Sequence, residues 1–524
     1  MRGLSSMVSS AHNHFDCNVG SEKGLEMTTE WGLDKLREVL GSGDEPHLMT
    51  GEQYKESLRD DRVIIDCNGE RIEDIPTHPH LKRSVDTIAE TFDAQFDAAT
   101  RDITTYTDPA DGQRYATGWQ IPTEPEHLAR RREMLRLSTL QTLGVFGRPP
   151  DYGSTWAMGF LSIADKIEAD NPAYAQNVAN FVKMSRRHNL ISADVGVDVQ
   201  SDRRVPRSER PSRLHVVEQR PDGLVLRGAK SCASIGAISH FSTCATTYTP
   251  DLDDVDAIFC ALPMNAEGLT LLLREPTVDP YCEPEDHPLD SRGEEMDNLL
   301  LFDDVFIPNE YLFGFNNKVL LGLYTDFSVL AFWHILARLA YRGEIFAAVA
   351  QTIVDILGTE PVQSVRHAVA EIIEYAKLLK STVIASEAEA YMRNGVLIPN
   401  NEYLIPGRLR STEAYPRVLH LLRDLSGQGI VSRWPKAVWD NPKFGDLFEE
   451  WMPGVDVTAR EKNRFFNFVW DICCSGHASR VAMFEHNNAT PPAVIREQVY
   501  RGWKREEYCE FVRRYVGINP KRPT

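Results

Sequence analysis

The spacing of apolar residues divides the chain into two helical regions with a region of short strands between them. In residues 51–187 and from residue 319 onward, apolar side chains recur every three or four positions, as on one face of a helix. Between residues 188 and 318 the apolar runs are short and separated by turn signals. The pattern predicts a polar N-terminal extension over residues 1–50 with one short helix, a helical domain over 51–187, a compact β domain over 188–318 and a helical bundle domain over 319–524.

One helix in the first region carries signals at both of its ends. Thr123-Glu-Pro-Glu126 is a capping-box sequence with proline in the first turn, and Leu128 and Leu135 follow on one face. The sequence Arg148-Pro-Pro-Asp-Tyr152 cannot continue that helix, because its prolines remove amide donors and clash with the preceding turn. We therefore predict a stiff loop from Arg148 to Tyr152 after the helix end.

The clearest element boundaries lie in the β region and in the last region. Apolar runs on either side of Pro221-Asp-Gly223 predict a hairpin, and further strands are predicted over residues 257–262, 269–274, 299–302 and 305–307. Helices are predicted over residues 327–357, with Gly358 as the stop, and over 365–379, 415–425 and 465–472. Long helices with one apolar face each indicate an antiparallel bundle.

Composition and charge exclude several classes of function. The chain has 524 residues, of which 42% are apolar and 25% charged, which is typical of a globular protein with several domains. Its 57 Lys and Arg against 76 Asp and Glu give a net charge of −19, which disfavours binding to nucleic acids and anionic membranes. Nine cysteines without a CxxC motif indicate a reduced, intracellular protein. Because no secretory signal and no apolar run of ~18 residues is present, we expect a soluble cytoplasmic protein.

Several well-known catalytic motifs are absent from the sequence. It has no dinucleotide-binding GxGxxG after a strand, no P-loop, no GxSxG, no HExxH and no EF-hand loop. Cys473 and Cys474 are adjacent on an apolar helix and are interpreted as core thiols. His12, His14 and Cys17 are metal-ligand types, but they lie in the polar extension, and no metal site is predicted.

Three polar segments are candidates for chemistry, and each has an ordinary structural alternative. Arg148 offers a planar fork of donors and Tyr152 a hydroxyl, which suit either a site for a carboxylate or phenolate or an interdomain contact. Residues 193–204 concentrate aspartates and arginines, as in a site or in a solvated loop with ion pairs. Residues 230–234 offer small hydroxyls or form a polar turn. Residue types alone predict a large enzyme with α and β structure and leave its reaction open.

Motifs along most of the chain carry a resemblance that goes further. They are Gly51-Glu-Gln-Tyr54, Gly69-Glu-Arg71, Thr77-His-Pro79, Gly147-Arg-Pro-Pro-Asp-Tyr152, Leu214-His-Val-Val217, Leu226-Arg-Gly-Ala-Lys230, residues 286–297, Phe302-Asp-Asp-Val-Phe-Ile-Pro308 and Trp470-Asp471. In this order and spacing they resemble the 4-hydroxyphenylacetate 3-hydroxylase family, the oxygenase components of two-component flavin monooxygenases. The resemblance runs from residue 51 to about residue 503.

This resemblance implies a fold and a reaction. The implied fold is mainly α with a central β-barrel and is acyl-CoA dehydrogenase-like, with an N-terminal helical domain and a C-terminal four-helix bundle. Members of the family are homotetramers or homodimers that bind FAD as FADH2, which a separate NAD(P)H-flavin reductase supplies. Molecular oxygen is the co-substrate and gives a flavin C4a-hydroperoxide, whose distal oxygen an electron-rich phenol ring attacks. The implied function is hydroxylation of a small aromatic substrate.

The resemblance also assigns roles to individual residues. Arg148 and Tyr152 match the substrate-facing Arg and Tyr of the family, which hold the phenol or phenolate against the flavin. Ser234 falls where the family has a Thr near the flavin N5. Contacts to the cofactor are implied for the following residues: Gln200, Ser201, Asp202, Arg203, Ser475, Gly476, His477 and Ala478.

Two departures from the family pattern bear on the substrate. Asp194 stands where the family has an active-site His. A neutral His takes a proton from a phenol near neutral pH, whereas Asp194 does so only if burial raises its pKa. Alternatively, Asp194 pairs with a substrate ammonium or accepts from an indole or aniline N–H. Of the family's glycine-rich GSEFGGR segment only Ser475 and Arg480 persist. We therefore expect a substrate other than 4-hydroxyphenylacetate, in specialised metabolism.

Two alternatives stay open on the same fold. One is a dehydrogenase or dehydratase-like enzyme that uses oxidised FAD, with Asp194 as a base. The other is a non-catalytic relative that has lost the flavin and serves as an assembly partner. The related dehydratase branch that carries an iron–sulfur cluster is not expected, because the chain has no cysteine between Cys67 and Cys232.

Overall fold

Helices at both ends of the chain enclose its strands in the computed structural model, which describes residues 31–41, 45–144, 146–488 and 490–518. The structure confirms that the chain is mainly helical. His12, His14 and Cys17 lie outside the described residues. Within the described ranges, no helix combines the length and the apolar character that crossing a membrane requires.

The helices before the sheets bury the faces that their apolar spacing predicts. Their bounds are α1 (Asp34–Leu40), α2 (Gly51–Ser57), α3 (Pro79–Asp93), α4 (Arg101–Thr104), α5 (Pro125–Gln141), α6 (Tyr152–Leu161), α7 (Ala164–Asp170) and α8 (Pro172–Arg187). In α3, for example, Leu81, Val85, Ile88 and Phe92 are buried on one face. Their removal from water is the main stabilising contribution of such a helix.

Helix α5 begins without the predicted capping box. Its N-cap is Glu124, whose side chain makes no capping hydrogen bond, and Pro125 occupies the first helical position. The amide of Thr123 instead donates to Nδ1 of His127 at 3.3 Å. Proline has no amide to leave unpaired at that position, so the helix begins there without a cap.

The described strands form two larger sheets and two separate pairs, and they do not close into the central β-barrel that the resemblance implied. Their bounds are β1 (Val63–Ile65), β2 (Thr105–Thr107), β3 (Arg114–Ala116), β4 (Ser192–Val195), β5 (Val197–Asp198), β6 (His215–Arg220), β7 (Gly223–Ser231), β8 (Phe241–Ala245), β9 (Ile258–Pro263), β10 (Leu269–Leu273), β11 (Asn298–Pro308), β12 (Leu312–Phe315), β13 (Tyr391–Arg393) and β14 (Val396–Ile398). The larger sheet has the order β1-β10-β11-β7-β5 with β6 beside β7, and the smaller has the order β12-β9-β8-β4. The remaining strands form the separate pairs β2–β3 and β13–β14.

The hairpin and the long strand of the larger sheet show how the local sequence sets the pairing. Strands β6 and β7 pair around Pro221-Asp-Gly223, as predicted. Strand β11 joins the two strands predicted over residues 299–302 and 305–307, with a bulge between Phe302 and Val305. The polar pair at this bulge interrupts the apolar alternation, which is why the sequence pattern predicts two strands rather than one.

The helices after the sheets include the predicted long ones. Their bounds are α9 (Lys318–Gly322), α10 (Tyr324–Phe327), α11 (Val329–Leu357), α12 (Gln363–Ala388), α13 (Asn401–Ser426), α14 (Lys436–Trp439), α15 (Pro442–Trp451), α16 (Ala459–Cys473), α17 (Gly476–Asn488), α18 (Pro492–Gly502) and α19 (Glu506–Tyr515). Helix α11 ends at Gly358, whose φ of 65° is left-handed, as the sequence predicts. Helix α13 is longer than predicted because it continues through Pro406 and Pro416.

An aromatic cluster fixes α6 between the smaller sheet and the start of the bundle. The ring of Phe160 on α6 lies 4.1 Å from Phe259 of β9 and 5.1 Å from Phe327 of α10, measured between centroids. All three side chains are buried. Helix α6 therefore has one fixed position, and its first residue is Tyr152.

Candidate functional site

Helix α6 lies directly against strand β4, and this contact brings two predicted site residues together. Gly153 permits the approach, because a Cβ atom there would lie 2.1 Å from the carbonyl oxygen of Ser192. Tyr152 is the first residue of α6, so the prediction that it lies in a loop is wrong. Asp194 lies within β4, so the solvated loop considered for it is not found. The loop between α5 and α6 carries Arg148 to the same place.

Arg148 and Asp194 form an ion pair. Nε of Arg148 donates to Oδ1 of Asp194 at 2.8 Å, and the two side chains are 11% and 18% exposed. Burial opposes the charge of the guanidinium, but the carboxylates of Asp194 and Glu295 hold the pKa of Arg148 well above its ordinary value. The guanidinium carbon also lies 4.4 Å from the ring centroid of Tyr152 and 4.9 Å from that of Phe484. One carboxylate and two aromatic rings therefore fix the guanidinium.

Aromatic side chains form a wall beside the ion pair. The ring centroid of Tyr152 lies 5.2 Å from that of His334, and the ring of Trp156 lies 5.8 Å from that of Tyr324. Burial raises the pKa of Tyr152 far above its ordinary value, so its hydroxyl is protonated at neutral pH. The Nε1–H group of Trp156 is buried and has no well-formed hydrogen bond to any described residue, although it approaches the Tyr152 hydroxyl. A buried donor of this kind suits an acceptor on a ligand.

Behind the ion pair lies a buried network of arginines and carboxylates. One oxygen of the fully buried Glu295 accepts from the backbone amide of Arg148, and the other binds Arg480 at 2.7 Å. Nε of Arg480 donates to Asp297 at 2.9 Å, and the hydroxyl of Ser234 donates to Asp297 at 2.6 Å. Burial opposes ionisation of Asp297, but Arg480 lowers the pKa of Asp297 to about 2. Charged side chains thus join Ser234 to the loop that carries Arg148.

The first turn of α17 contains the four predicted cofactor residues of the bundle. Oγ of Ser475 accepts from the amide of Ala478 at 3.0 Å, as an N-cap side chain does. Nδ1 of the buried His477 forms a 2.9 Å hydrogen bond with Asp290, whereas its Nε2 has no partner among the described residues. Gly476 is exposed at this helix start.

A cavity of about 250 Å³ lies at this helix start. Its lining residues are Thr277, Asp279, Cys282, His287, Asp290, Trp470, Cys474, Ser475 and Gly476. The amides at a helix N-terminus donate to phosphate or carbonyl oxygens, and the helix dipole favours such groups. These backbone donors suit the phosphate or carbonyl oxygens of a flavin nucleotide. Because Nδ1 of His477 donates to Asp290, Nε2 of the neutral imidazole is an acceptor. Arg480 lies one turn further along α17 and donates to the hydroxyl of Ser234 at 3.4 Å.

The predicted cofactor residues Gln200, Ser201, Asp202 and Arg203 lie on an exposed loop after β5. Asp202 pairs with Arg204 at 2.6 Å, a local contact of the ordinary surface kind. The loop begins beside the end of β7, because β5 pairs there. The loop is related to Ser234 only through this pairing, because Ser234 follows the end of β7. The role of the loop in binding the flavin stays a prediction.

Two groups of metal-ligand side chains occur in the described part of the chain. Their possible ligand atoms lie within 4.8 Å of one another, in the sets Asp66, Cys67 and His80, and His287, Asp290 and Asp471. In the second set, Nδ1 of His287 lies 3.1 Å from Oδ1 of Asp471, and the amides of Leu289 and Asp290 donate to Oδ2 of the same carboxylate. Hydrogen bonds therefore account for that set without an ion.

Sequence reasoning did not identify Trp156, Phe484 or Glu295 as parts of the site. Trp156 follows Tyr152 by four positions, so a helix beginning at Tyr152 would have placed both on one face. Glu295 contacts the backbone of Arg148 across 147 positions of sequence, and no local pattern reports such a contact. The position of Trp156 could therefore have been predicted from the sequence, whereas the contact of Glu295 with Arg148 could not.

Two family models match almost all of the chain. The model described as 4-hydroxyphenylacetate 3-hydroxylase N terminal matches residues 50–314, and the model described as 4-hydroxyphenylacetate 3-hydroxylase C terminal matches residues 321–517. Together they cover both helical regions and the sheets between them. The order of the two models is the order of the motifs along the chain.

Relatives with assigned activities match at about 30% identity. The oxygenase component of 4-hydroxyphenylacetate 3-monooxygenase from Thermus thermophilus is 29% identical, over 89% of this chain and 97% of the relative. The FADH(2)-dependent monooxygenase TftD from Burkholderia cepacia is 30% identical, over 85% of this chain and 87% of the relative. This chain therefore spans nearly the full length of both relatives.

Solved structures match the fold. The oxygenase component HpaB of 4-hydroxyphenylacetate 3-monooxygenase, complexed with FAD and 4-hydroxyphenylacetate, aligns with a TM-score of 0.84 at 29% identity, over 89% of this chain and 98% of the other. An archaeal 4-hydroxybutyryl-CoA dehydratase from N. maritimus aligns with a TM-score of 0.82 at 21% identity, over 91% of this chain and 97% of the other. At that lower identity the second match reports the fold alone.

We predict that Gly153→Ala separates α6 from β4 and destabilises the protein. The added methyl group meets a backbone carbonyl that cannot move without displacing the strand, at a cost of about 1–3 kcal/mol. The measurement is the midpoint of thermal unfolding. Gly502→Ala is the matched control, because nothing lies within 4 Å of a Cβ atom at Gly502. Equal midpoints for both variants would contradict the close approach.

We also predict that Glu295→Gln lowers the free energy of unfolding by about 3 kcal/mol, because it removes one partner of a buried ion pair. Chemical denaturation at neutral pH measures the change. In the control Glu218→Gln, the carboxylate and its partner Arg220 are exposed, and a change below about 1 kcal/mol is expected. A loss no larger than that of the control would show that Glu295 does not support the network.

Proposed function

The chain belongs to the 4-hydroxyphenylacetate 3-hydroxylase family, and we propose that it hydroxylates an aromatic substrate held by Arg148, Tyr152 and Asp194. It is the oxygenase component of a two-component monooxygenase that uses FAD as FADH2 together with molecular oxygen. A separate reductase supplies the reduced flavin. The ion pair of Arg148 and Asp194 against the ring of Tyr152 is the observation that carries the proposed site.

The roles of the proposed site residues follow from their chemistry. Arg148 and the protonated hydroxyl of Tyr152 are donors that hold a polar substituent of the ring and so orient the ring. The buried faces of Tyr152 and Trp156 exclude water and offer apolar contacts to the ring. Reduced FAD, with dioxygen, supplies the electrophilic oxygen. The residues of this chain have to hold an electron-rich carbon of the substrate ring in one orientation toward that oxygen.

Residues on three segments are proposed to hold the flavin. The helix start with Ser475, Gly476, His477 and Ala478 provides backbone donors and the unpartnered imidazole nitrogen of His477. Ser234 contributes a hydroxyl that Asp297 and Arg480 keep in place. The loop of residues 200–203 is exposed and follows a strand that pairs beside β7, which leaves its polar groups accessible to a cofactor.

Asp194 distinguishes this site from the pattern of the family. It occupies the position of the family's His, and its partner here is Arg148. Its proposed role is to accept a proton or a hydrogen bond from the substituent of the ring. A carboxylate at this position changes the charge that a substrate meets, which supports a substrate other than 4-hydroxyphenylacetate.

We also propose the setting in which this enzyme works. A homotetramer or homodimer is supported by α19, whose apolar side chains Tyr508, Phe511, Val512 and Tyr515 are all more than half exposed. We propose three domains with boundaries near residues 187 and 318, because the chain changes from helix to strand and back close to those positions. A cytoplasmic location and a place in specialised metabolism complete the proposal.

Oxygen transfer separates this function from a dehydrogenase or dehydratase-like enzyme and from a non-catalytic relative. The protein is mixed anaerobically with reduced FAD and then with isotopically labelled dioxygen and a panel of phenols and aromatic amines. We expect flavin reoxidation to be slower than that of free reduced FAD, and we expect the label in a hydroxylated product. Reoxidation at the rate of free flavin with no labelled product would contradict a monooxygenase.

A second prediction concerns Arg148. Arg148→Gln removes the charged donor of the proposed site, so we expect KM for the aromatic substrate to rise by about tenfold or more. The affinity for reduced FAD is expected to change little. Arg220→Gln, which alters an exposed arginine, is the control. An unchanged KM would remove Arg148 from the substrate site.

A further inference from the structure

The charge of Arg148 is already compensated before any substrate binds. Its Nε lies 2.8 Å from Oδ1 of Asp194, and both side chains are mostly buried. An arginine that serves as the counter-ion of a phenolate has to offer an uncompensated charge. With Asp194 in contact with Arg148, a phenolate beside the guanidinium would lie next to a carboxylate, and like charges at that range repel strongly in a buried setting.

The charged side chains behind the pair of Arg148 and Asp194 add no net positive charge. Glu295 binds the amide of Arg148 and the side chain of Arg480, and Arg480 is also held by Asp297. On the bundle side, Glu485 pairs with Arg338 at 2.7 Å, and Arg342 donates to the same carboxylate at 3.3 Å. In this layer the formal charges of the named arginines and carboxylates balance.

Other groups face the pair from the remaining elements. They are Tyr152 and Trp156 of α6, Tyr324 of α10, His334 of α11, Arg408 of α13 and Phe484 of α17. The guanidinium of Arg408 lies over the ring of Phe332 and donates to the hydroxyl of Thr490 at 2.6 Å. Electrostatic interactions link Arg408 to the hydroxyls of both Tyr324 and Tyr152.

The side chains around the ion pair include both an acceptor and donors for a neutral substituent. Among the described residues, Asp194 accepts a hydrogen bond through Oδ1 only, which leaves Oδ2 to accept from a ligand. The hydroxyl of Tyr152 and the Nε1–H group of Trp156, which approaches that hydroxyl without a well-formed hydrogen bond, are donors. An O–H or N–H substituent can donate to Asp194 and accept from one of these groups at the same time. A phenolate has no proton to donate.

We propose that Asp194 makes this pocket select aromatic rings that carry a neutral donor, an un-ionised phenol or an aromatic amine, over phenolates. This inference rests on the proposed function, because it takes the pocket at Arg148 and Tyr152 to be the substrate site. Asp194 is then a specificity-determining residue. In this arrangement the carboxylate accepts a hydrogen bond from the substituent of the ring, and the ion pair with Arg148 orients the carboxylate.

The test uses 4-nitrophenol as a probe, because its absorbance distinguishes the neutral form from the ionised form. The full chain loaded with oxidised FAD is titrated with the probe at pH values on both sides of the ionisation of the probe. In wild type, we expect the affinity to fall at least about tenfold when the probe ionises, and the pKa of the bound probe to rise by at least about one unit. Asp194→Asn keeps the shape of the side chain and loses its charge. In this variant we expect the pKa of the bound probe to be lower than in wild type by a similar amount.

Asp304→Asn is the matched control for the loss of one carboxylate. Asp304 is exposed and pairs with Arg227, so the same change in formal charge is expected to leave the bound probe unchanged. If neither form of the probe binds, 4-methylphenol and 4-methylaniline replace it, and both are expected to bind wild type more tightly than Asp194→Asn. Tighter binding of the ionised probe to wild type would overturn the inference, as would an Asp194→Asn variant that matches wild type, or a failure of all three ligands to bind.

The binding measurement and the oxygen experiment fail independently. If labelled oxygen enters a product while wild type prefers the ionised probe, the monooxygenase assignment stands and the role of Asp194 is wrong. If wild type prefers the neutral probe but transfers no oxygen to any ring, the pocket selects as proposed and the function is wrong. Each result is read without assuming the other.

Discussion

The fold around the proposed site depends on the pairing of charges that the chain buries. Glu295 and Arg480 have almost no contact with water, and each would destabilise the protein severely without the other. Their pairing is possible only if the segment that carries Glu295, helix α17 and the loop before α6 all take their observed positions. A single buried carboxylate, through its two oxygens, thus fixes where the backbone of Arg148 lies.

This constraint couples the two halves of the proposed site. The same Arg480 that binds Glu295 also binds Asp297, and Asp297 accepts from Ser234. The predicted flavin side and the predicted substrate side therefore share one rigid set of charged groups. Such sharing suits a reaction in which a ring carbon has to be held at a fixed position relative to a cofactor, because small displacements lower the rate steeply.

Sequence predicted the elements that local chemistry determines, and it did not predict those that depend on distant partners. The stop at Gly358 follows from a left-handed backbone conformation that few residues allow, and the hairpin follows from the turn signal Pro221-Asp-Gly223 between two apolar runs. The strand containing Asp194 was not predicted, since it is short and pairs in parallel with β8, a neighbour far along the chain. The helix predicted over residues 415–425 is only the last part of α13, which begins at Asn401 and continues through Pro406 and Pro416 although interior prolines usually disrupt helices. The closed barrel came from the resemblance and not from any strand pattern.

Fewer residues determine the substrate of this enzyme than determine its fold. Two open sheets and a helical bundle can be kept at about 30% identity, because the apolar positions that build them tolerate many substitutions. The carboxylate of Asp194 pairs with Arg148 and so compensates the charge of the guanidinium at the proposed substrate site. In the proposed arrangement the fold positions the ring, and the charges of Arg148 and Asp194 select which rings are held. Family membership therefore establishes the reaction type, whereas the choice of substrate has to be argued from those two side chains.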